Sequence, residues 1–170
     1  EQGLGFEVAS VVAAMRGSDL GETLLGDALL TETDLPVLPH EDRGLAEATA
    51  PLVEYADVVV IDGAVDEVGE AAVRALARPG AMIHPDPSEM DTELMRQGIH
   101  HHHATEAWAS DYEWDVPACE GPVWTLDLNA RRPLHPQRLH DRFEDLGIGT
   151  HRARGCLWVA TRPNHVVGWE

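Results

Sequence analysis

VEYADVVVIDG, residues 53–63, contains the strand from which the rest of the chain can be laid out. Residues 57–61, DVVVI, carry the apolar run of a parallel strand covered on both faces. A helix through Leu45, Ala48, Leu52 and Tyr55 leads into it. A second helix follows, with Val68, Ala71, Ala72, Ala75 and Leu76 on one face, and Pro79-Gly80 stops it. AMIH at 81–84 reads as the next strand. Upstream, Val8–Met15 is a buried-strand candidate, then Gly17-Ser18-Asp19 a turn and N-cap, and Leu20, Leu24, Leu25 and Ala28 recur at helical spacing. The stretch TETDLPVLPHEDRG, with its prolines and acids, reads as a loop. Strand, helix, strand, helix, strand in this order predicts a parallel sheet covered by helices.

Composition narrows the chemistry. The 170 residues suit one ordinary domain or two small ones, and 44% apolar content can fill a core. Thirty acids against twelve bases give a net charge of −18, which disfavours direct contact with nucleic acid or anionic membranes. Every base is arginine, so lysine Schiff-base chemistry and a P-loop lysine are both excluded from these residues. No apolar run reaches membrane-spanning length. The first residues show no signal-peptide pattern, and residue 1 is Glu, which leaves room for sequence upstream. Cys119 and Cys156 form no CxxC pair and fit a reducing cytoplasm.

Beyond Pro85 the periodicity weakens, apart from a short helical stretch around Met90–Met95, and residues 99–120 read as an acidic, His-rich linker. From residue 121 the pattern changes. Val123–Leu128 (VWTLDL) alternates like a strand, and Pro136 opens a helix whose stripe is Leu139, Phe143 and Leu146, ending at Gly147. GCLWVAT at 155–161 is a strand, Arg162–His165 a turn, and Val166–Trp169 a further strand. That is the opening of a split βαβ, ferredoxin-like unit without its second helix and last strand.

Residues from about 121 to 170 carry a family signature. RRPLHPQRLHDRFEDLG followed by HRARGCLWVATRPNHVVGWE resembles the C-terminal domain of CobW-type proteins, P-loop metal-chaperone GTPases with an RPFHPERL-like helix start and an RxKGxxW-like strand. The matching residues are Arg132, Pro133, His135, Pro136, Arg138 and Leu139, then Arg152, Arg154, Gly155 and Trp158, then Arg162 and Pro163. Residues 8–84 resemble the second half of the family's GTPase domain. The resemblance therefore implies an α/β unit over 1–98 with part of a P-loop-type parallel sheet, the linker, and a truncated ferredoxin-like α+β domain over 121–170.

In that alignment VVVIDG stands where the family's guanine-reading Asn-Lys-x-Asp should end a strand. Asp62 replaces Asn, Gly63 replaces Lys, and Asp66 is the only later acid, one position late. These three mark a degenerate nucleotide site, and Asp66 is also a natural N-cap for the following helix. The P-loop, the magnesium-binding Asp and the CxCC motif are missing, so this chain alone is not expected to hydrolyse GTP. GTP and magnesium belong to a complete parent protein.

The remaining candidate is the run His100, His101, His102 and His103. Alternate residues of an extended segment, or His100 and His103 of a helix, bring two imidazoles together, whereas a closed zinc site wants four ligands. Cys119, Asp91, Asp111 or Glu113 could supply the rest. This predicts a loose, exchangeable zinc site, against the plainer reading of a solvated linker. His135 is expected to cap or pack, His140 to lie on another face, and Cys156 to sit in the core. Trp124, Trp158 and Trp169 are expected to form the second core, with Trp108 and Trp114 free for a partner. Arg152 and Arg154 could meet an anion or, more plainly, nearby acids.

The resulting expectation is a CobW-like zinc chaperone or insertase of the cytoplasm, with the C-terminal domain facing a client protein. The competing one is a non-catalytic adaptor that has lost nucleotide chemistry and binds a basic partner, such as a ribosome-associated protein.

Overall fold

A computed structural model describes residues 7–103, 105, 121–146 and 152–169. Its first half is a three-stranded parallel sheet in the order β1-β2-β3, with β1 at Val12–Arg16, β2 at Val58–Asp62 and β3 at Met82–His84. The apolar run makes β2 the centre, since Val58, Val59, Val60 and Ile61 are at most 5% exposed. β1 starts at Val12 rather than Val8; upstream the Ala9 carbonyl is engaged by the Ile99 and His100 N–H groups instead of by β2.

Alternation along the strands builds two cores. Ala13, Met15, Val59 and Ile61 face α1 (Leu20–Leu25), α2 (Leu45–Tyr55) and α3 (Glu67–Leu76) through Leu20, Leu24, Ala50, Val53, Ala72 and Val73. Val58 and Val60 face the other way, onto Met82, Met90, Ile99 and Met95 of α4 (Thr92–Arg96). The helix through residues 45–55 forms as its spacing predicts, but it turns a different face inward. Ala50, Val53 and Glu54 are buried while Leu52 and Tyr55 are 55% and 40% exposed. The smaller side chains let α2 close on its neighbours, and the larger ones line a cleft along β1 with Val12, Ala14 and Arg154. The loops after β1 and β2 touch at Gly17, where a Cβ would lie 2.7 Å from the Gly63 and Ala64 carbonyl oxygens.

The second half comprises α5 (Pro136–Asp141), a 3₁₀ turn at Glu144–Leu146 and an antiparallel pair, β4 (Gly155–Trp158) and β5 (Val166–Trp169). Parallel α/β followed by a smaller α+β segment is the class the sequence indicates. Several details differ. Val123–Leu128 joins no sheet among the described residues, and Trp124, Leu126 and Leu128 are 72%, 62% and 80% exposed. Val123 instead packs against the first core. The helix stops at Asp141, so Leu139, Phe143 and Leu146 are not one continuous stripe. No Trp core forms among the described residues: Trp158 is exposed, and Trp169 is half-buried against the edge of Phe143, ring centroids 4.7 Å apart. Cys156 is exposed rather than internal. Among the described residues a two-stranded pair and one short helix offer no opposing layer to bury such side chains.

The halves are tied by charge. Glu54 on α2 meets Arg152 Nε at 3.5 Å and Arg154 Nη1 at 3.3 Å, with all three side chains at most 13% exposed. The plainer expectation for this arginine pair, a nearby acid, is what forms.

Candidate metal centre

The histidine run begins where the chain returns to the sheet. Ile99 packs in the second core, and the N–H groups of Ile99 and His100 both donate to the Ala9 carbonyl, at 2.7 and 3.0 Å. His100 is therefore held against the sheet, not carried on a free tether. Its ring lies 3.0 Å, Nδ1 to Oδ2, from the Asp57 carboxylate, and the two side chains are 6% and 2% exposed.

Asp57 sits one residue before β2, and a carboxylate buried there requires donors. It has three. The Val11 N–H donates to Oδ2 at 2.7 Å, Arg78 pairs with Oδ1, and His100 completes the set. The Tyr55 ring flanks His100 with centroids 5.8 Å apart.

The next histidines lie close by. The His102 centroid is 6.4 Å from that of His100, and His103 is 5.9 Å from His102. His101, His102 and His103 are exposed, and the His101 carbonyl accepts from the Thr105 N–H at 3.1 Å. Among the described residues no three His, Cys, Asp or Glu side chains are already gathered around one point where a metal could sit. The donor set is chemically right for zinc, but the rings must rotate to converge.

The other expected ligands divide. Asp91 is occupied as the N-cap of α4, accepting from the Glu93 and Leu94 N–H groups at 3.0 and 3.1 Å. Cys119, Asp111 and Glu113 lie outside the described residues, as do Trp108 and Trp114. His135 caps α5, its Nδ1 accepting from the Arg138 N–H at 3.4 Å.

The degenerate nucleotide positions lie at the carboxyl end of β2, where α/β sheets bind ligands. Asp62 is exposed there beside Arg16 in register, and Gly63 turns the chain with φ +87°. Asp66 caps α3, accepting from the Gly69 N–H at 2.5 Å. Its carboxylate is thus engaged in holding the helix start.

Two residues the motif reading passed over, Asp57 and Glu54, organise the molecule. The signal for Asp57 was present as an acid immediately before the apolar run Val58–Ile61.

An α/β unit with a short α+β segment attached through buried arginines is the class these features define. Residues 123–170 match the cobalamin synthesis protein cobW C-terminal domain. A protein of Mycobacterium tuberculosis called zinc chaperone Rv0106, and uncharacterized protein Mb0109 of Mycobacterium bovis, are each 33% identical over 144 residues, 83% of this chain. Residues 123–170 thus carry the CobW-type C-terminal domain, and the chain spans 35% of the length of these relatives. No solved structure matches it. Among the described residues no helix is long and apolar enough to cross a membrane.

Proposed function

We propose that this chain handles zinc as cargo, with His100, His101, His102 and His103 as the ligand-bearing segment. The observation that carries this is the anchoring of His100 by a buried carboxylate beside two further imidazole rings. The relative named as a zinc chaperone supports the same metal.

In this reading the chain serves metal homeostasis in the cytoplasm, and the C-terminal segment presents the surface for a client protein. Trp124, Leu126 and Leu128 are exposed there. GTP and magnesium act in a longer parent protein, with Asp62 and Gly63 at the remnant of its base-reading loop. These residues hydrolyse nothing alone, and neither nucleic acid nor membrane is a direct partner. The rival, an adaptor for a basic partner, draws on the net charge of −18.

The test is a zinc titration of the metal-free, tag-free chain against a chromophoric chelator, beside a variant with all four histidines changed to Ala. Binding of about one zinc at micromolar affinity or tighter, lost in the variant, supports cargo handling. Equal weak binding by both proteins refutes it and leaves the adaptor.

A further inference from the structure

We infer that Asp57 is the positioning residue of this zinc site and that His100 is its first ligand, binding through Nε2. The inference rests on the cargo reading above and assigns roles within it.

The argument begins with donors and acceptors. Asp57 Oδ1 is paired with the Arg78 guanidinium and Oδ2 takes the Val11 N–H at 2.7 Å, so the carboxyl group is an ionised acceptor. His100 Nδ1 lies 3.0 Å from that same Oδ2. A carboxylate has no proton to give, so Nδ1 brings one. The neutral imidazole then carries its lone pair on Nε2, the atom a metal would take.

This is the carboxylate–histidine–metal relation, in which the outer carboxylate fixes tautomer and ring orientation and raises the basicity of the ligating nitrogen. Here the main chain is held as well as the ring, because the His100 backbone N–H donates to the Ala9 carbonyl. Two imidazoles on one tetrahedral zinc, with Zn–N about 2.0–2.1 Å, place their ring centroids roughly 5–5.5 Å apart. The observed 6.4 Å between His100 and His102 and 5.9 Å between His102 and His103 are about an ångström wider. Ligation of one zinc by His100 and His102 therefore requires the exposed His102 ring to move closer to His100.

The decisive measurement uses the whole chain labelled with ¹⁵N-histidine, by long-range ¹H–¹⁵N correlation at pH 7.5 before and after one equivalent of zinc. The metal-free protein should show His100 as the Nδ1–H tautomer. Zinc should then move its Nε2 resonance to the ligated position together with at least one other histidine of the run. A His100 Nε2 that stays put while His101–His103 respond overturns this inference and leaves the cargo reading standing. No response from any of the four overturns both. In parallel, D57N should lower zinc affinity 10–100-fold with an unchanged far-UV spectrum; an unchanged affinity in the folded variant refutes the positioning role. If D57N does not fold, the wild-type tautomer and its zinc response decide alone.

Discussion

Changing Glu54 to Gln should loosen the C-terminal half before it unfolds the rest. Glu54 Oε1 is 3.3 Å from Arg154 Nη1 and 3.5 Å from Arg152 Nε, with side chains 10–13% exposed. At an effective dielectric of about 20, each contact is worth about 5 kcal/mol of Coulomb energy before desolvation is subtracted. Removing one partner of a buried cluster costs about 3–5 kcal/mol, because the remaining charges stay buried without compensation. The contacts here are long, and Glu54 Oε1 and Arg152 Nε lack well-directed hydrogen bonds, so the lower end applies, about 3 kcal/mol. The sequence provides a natural reporter. All five tryptophans lie after residue 105, so indole fluorescence follows the C-terminal part while far-UV circular dichroism follows the helices of the first half. In urea the two signals should coincide for wild type. In E54Q the fluorescence midpoint should fall by roughly 1–2 M, for a slope of about 2 kcal/mol/M, and separate from the dichroism. Coincident transitions with a loss below about 0.5 kcal/mol would refute an electrostatic tie between the halves.

Two further outcomes are specific. G17A places a methyl 2.7 Å from two carbonyl oxygens, and because backbone must move, thermal or urea unfolding should show a loss of at least about 1–3 kcal/mol. The Glu41 carboxyl, held down to about 2 chiefly by its hydrogen bond from the Arg43 side chain, should remain ionised at pH 3 by carboxyl NMR, and R43Q should return it towards 4.5. The sign follows from that lowering: any stability this pair lends is present above pH 4.5 and disappears as pH falls through about 2.

The parallel sheet was legible because Val58–Ile61 must be covered on both faces, and because Pro79-Gly80 and Asp66 mark the limits of α3 unambiguously. The inward face of α2 was not legible. Leu52 and Tyr55 look like core by hydrophobicity, yet close packing of helices selected Ala50 and Val53. VWTLDL alternates as a strand should, but alternation specifies a face and not a partner, and among the described residues no strand pairs with it. For the candidate site, the histidines were obvious and their differences were not. His100 is set apart from its three neighbours by contacts far off in sequence, chief among them Asp57, 43 positions away. A local pattern cannot encode such a pairing, although an acid at the threshold of a buried strand announces that some donor must come to it.

The uncovered side of β1 has a colloidal consequence. Among the described residues β2 is its sole ladder partner, and Val12 on this strand is 42% exposed. An apolar strand with unpaired backbone groups is a template on which another chain can add. The protection present in this molecule is its charge of −18, which makes like molecules repel. Mutual repulsion of that kind fades as the Debye length shrinks to about 3 Å at 1 M salt. Shelf life of the isolated polypeptide should therefore be set by ionic strength, with dilute, low-salt storage keeping it dispersed and concentrated brine driving it into strand-linked aggregates.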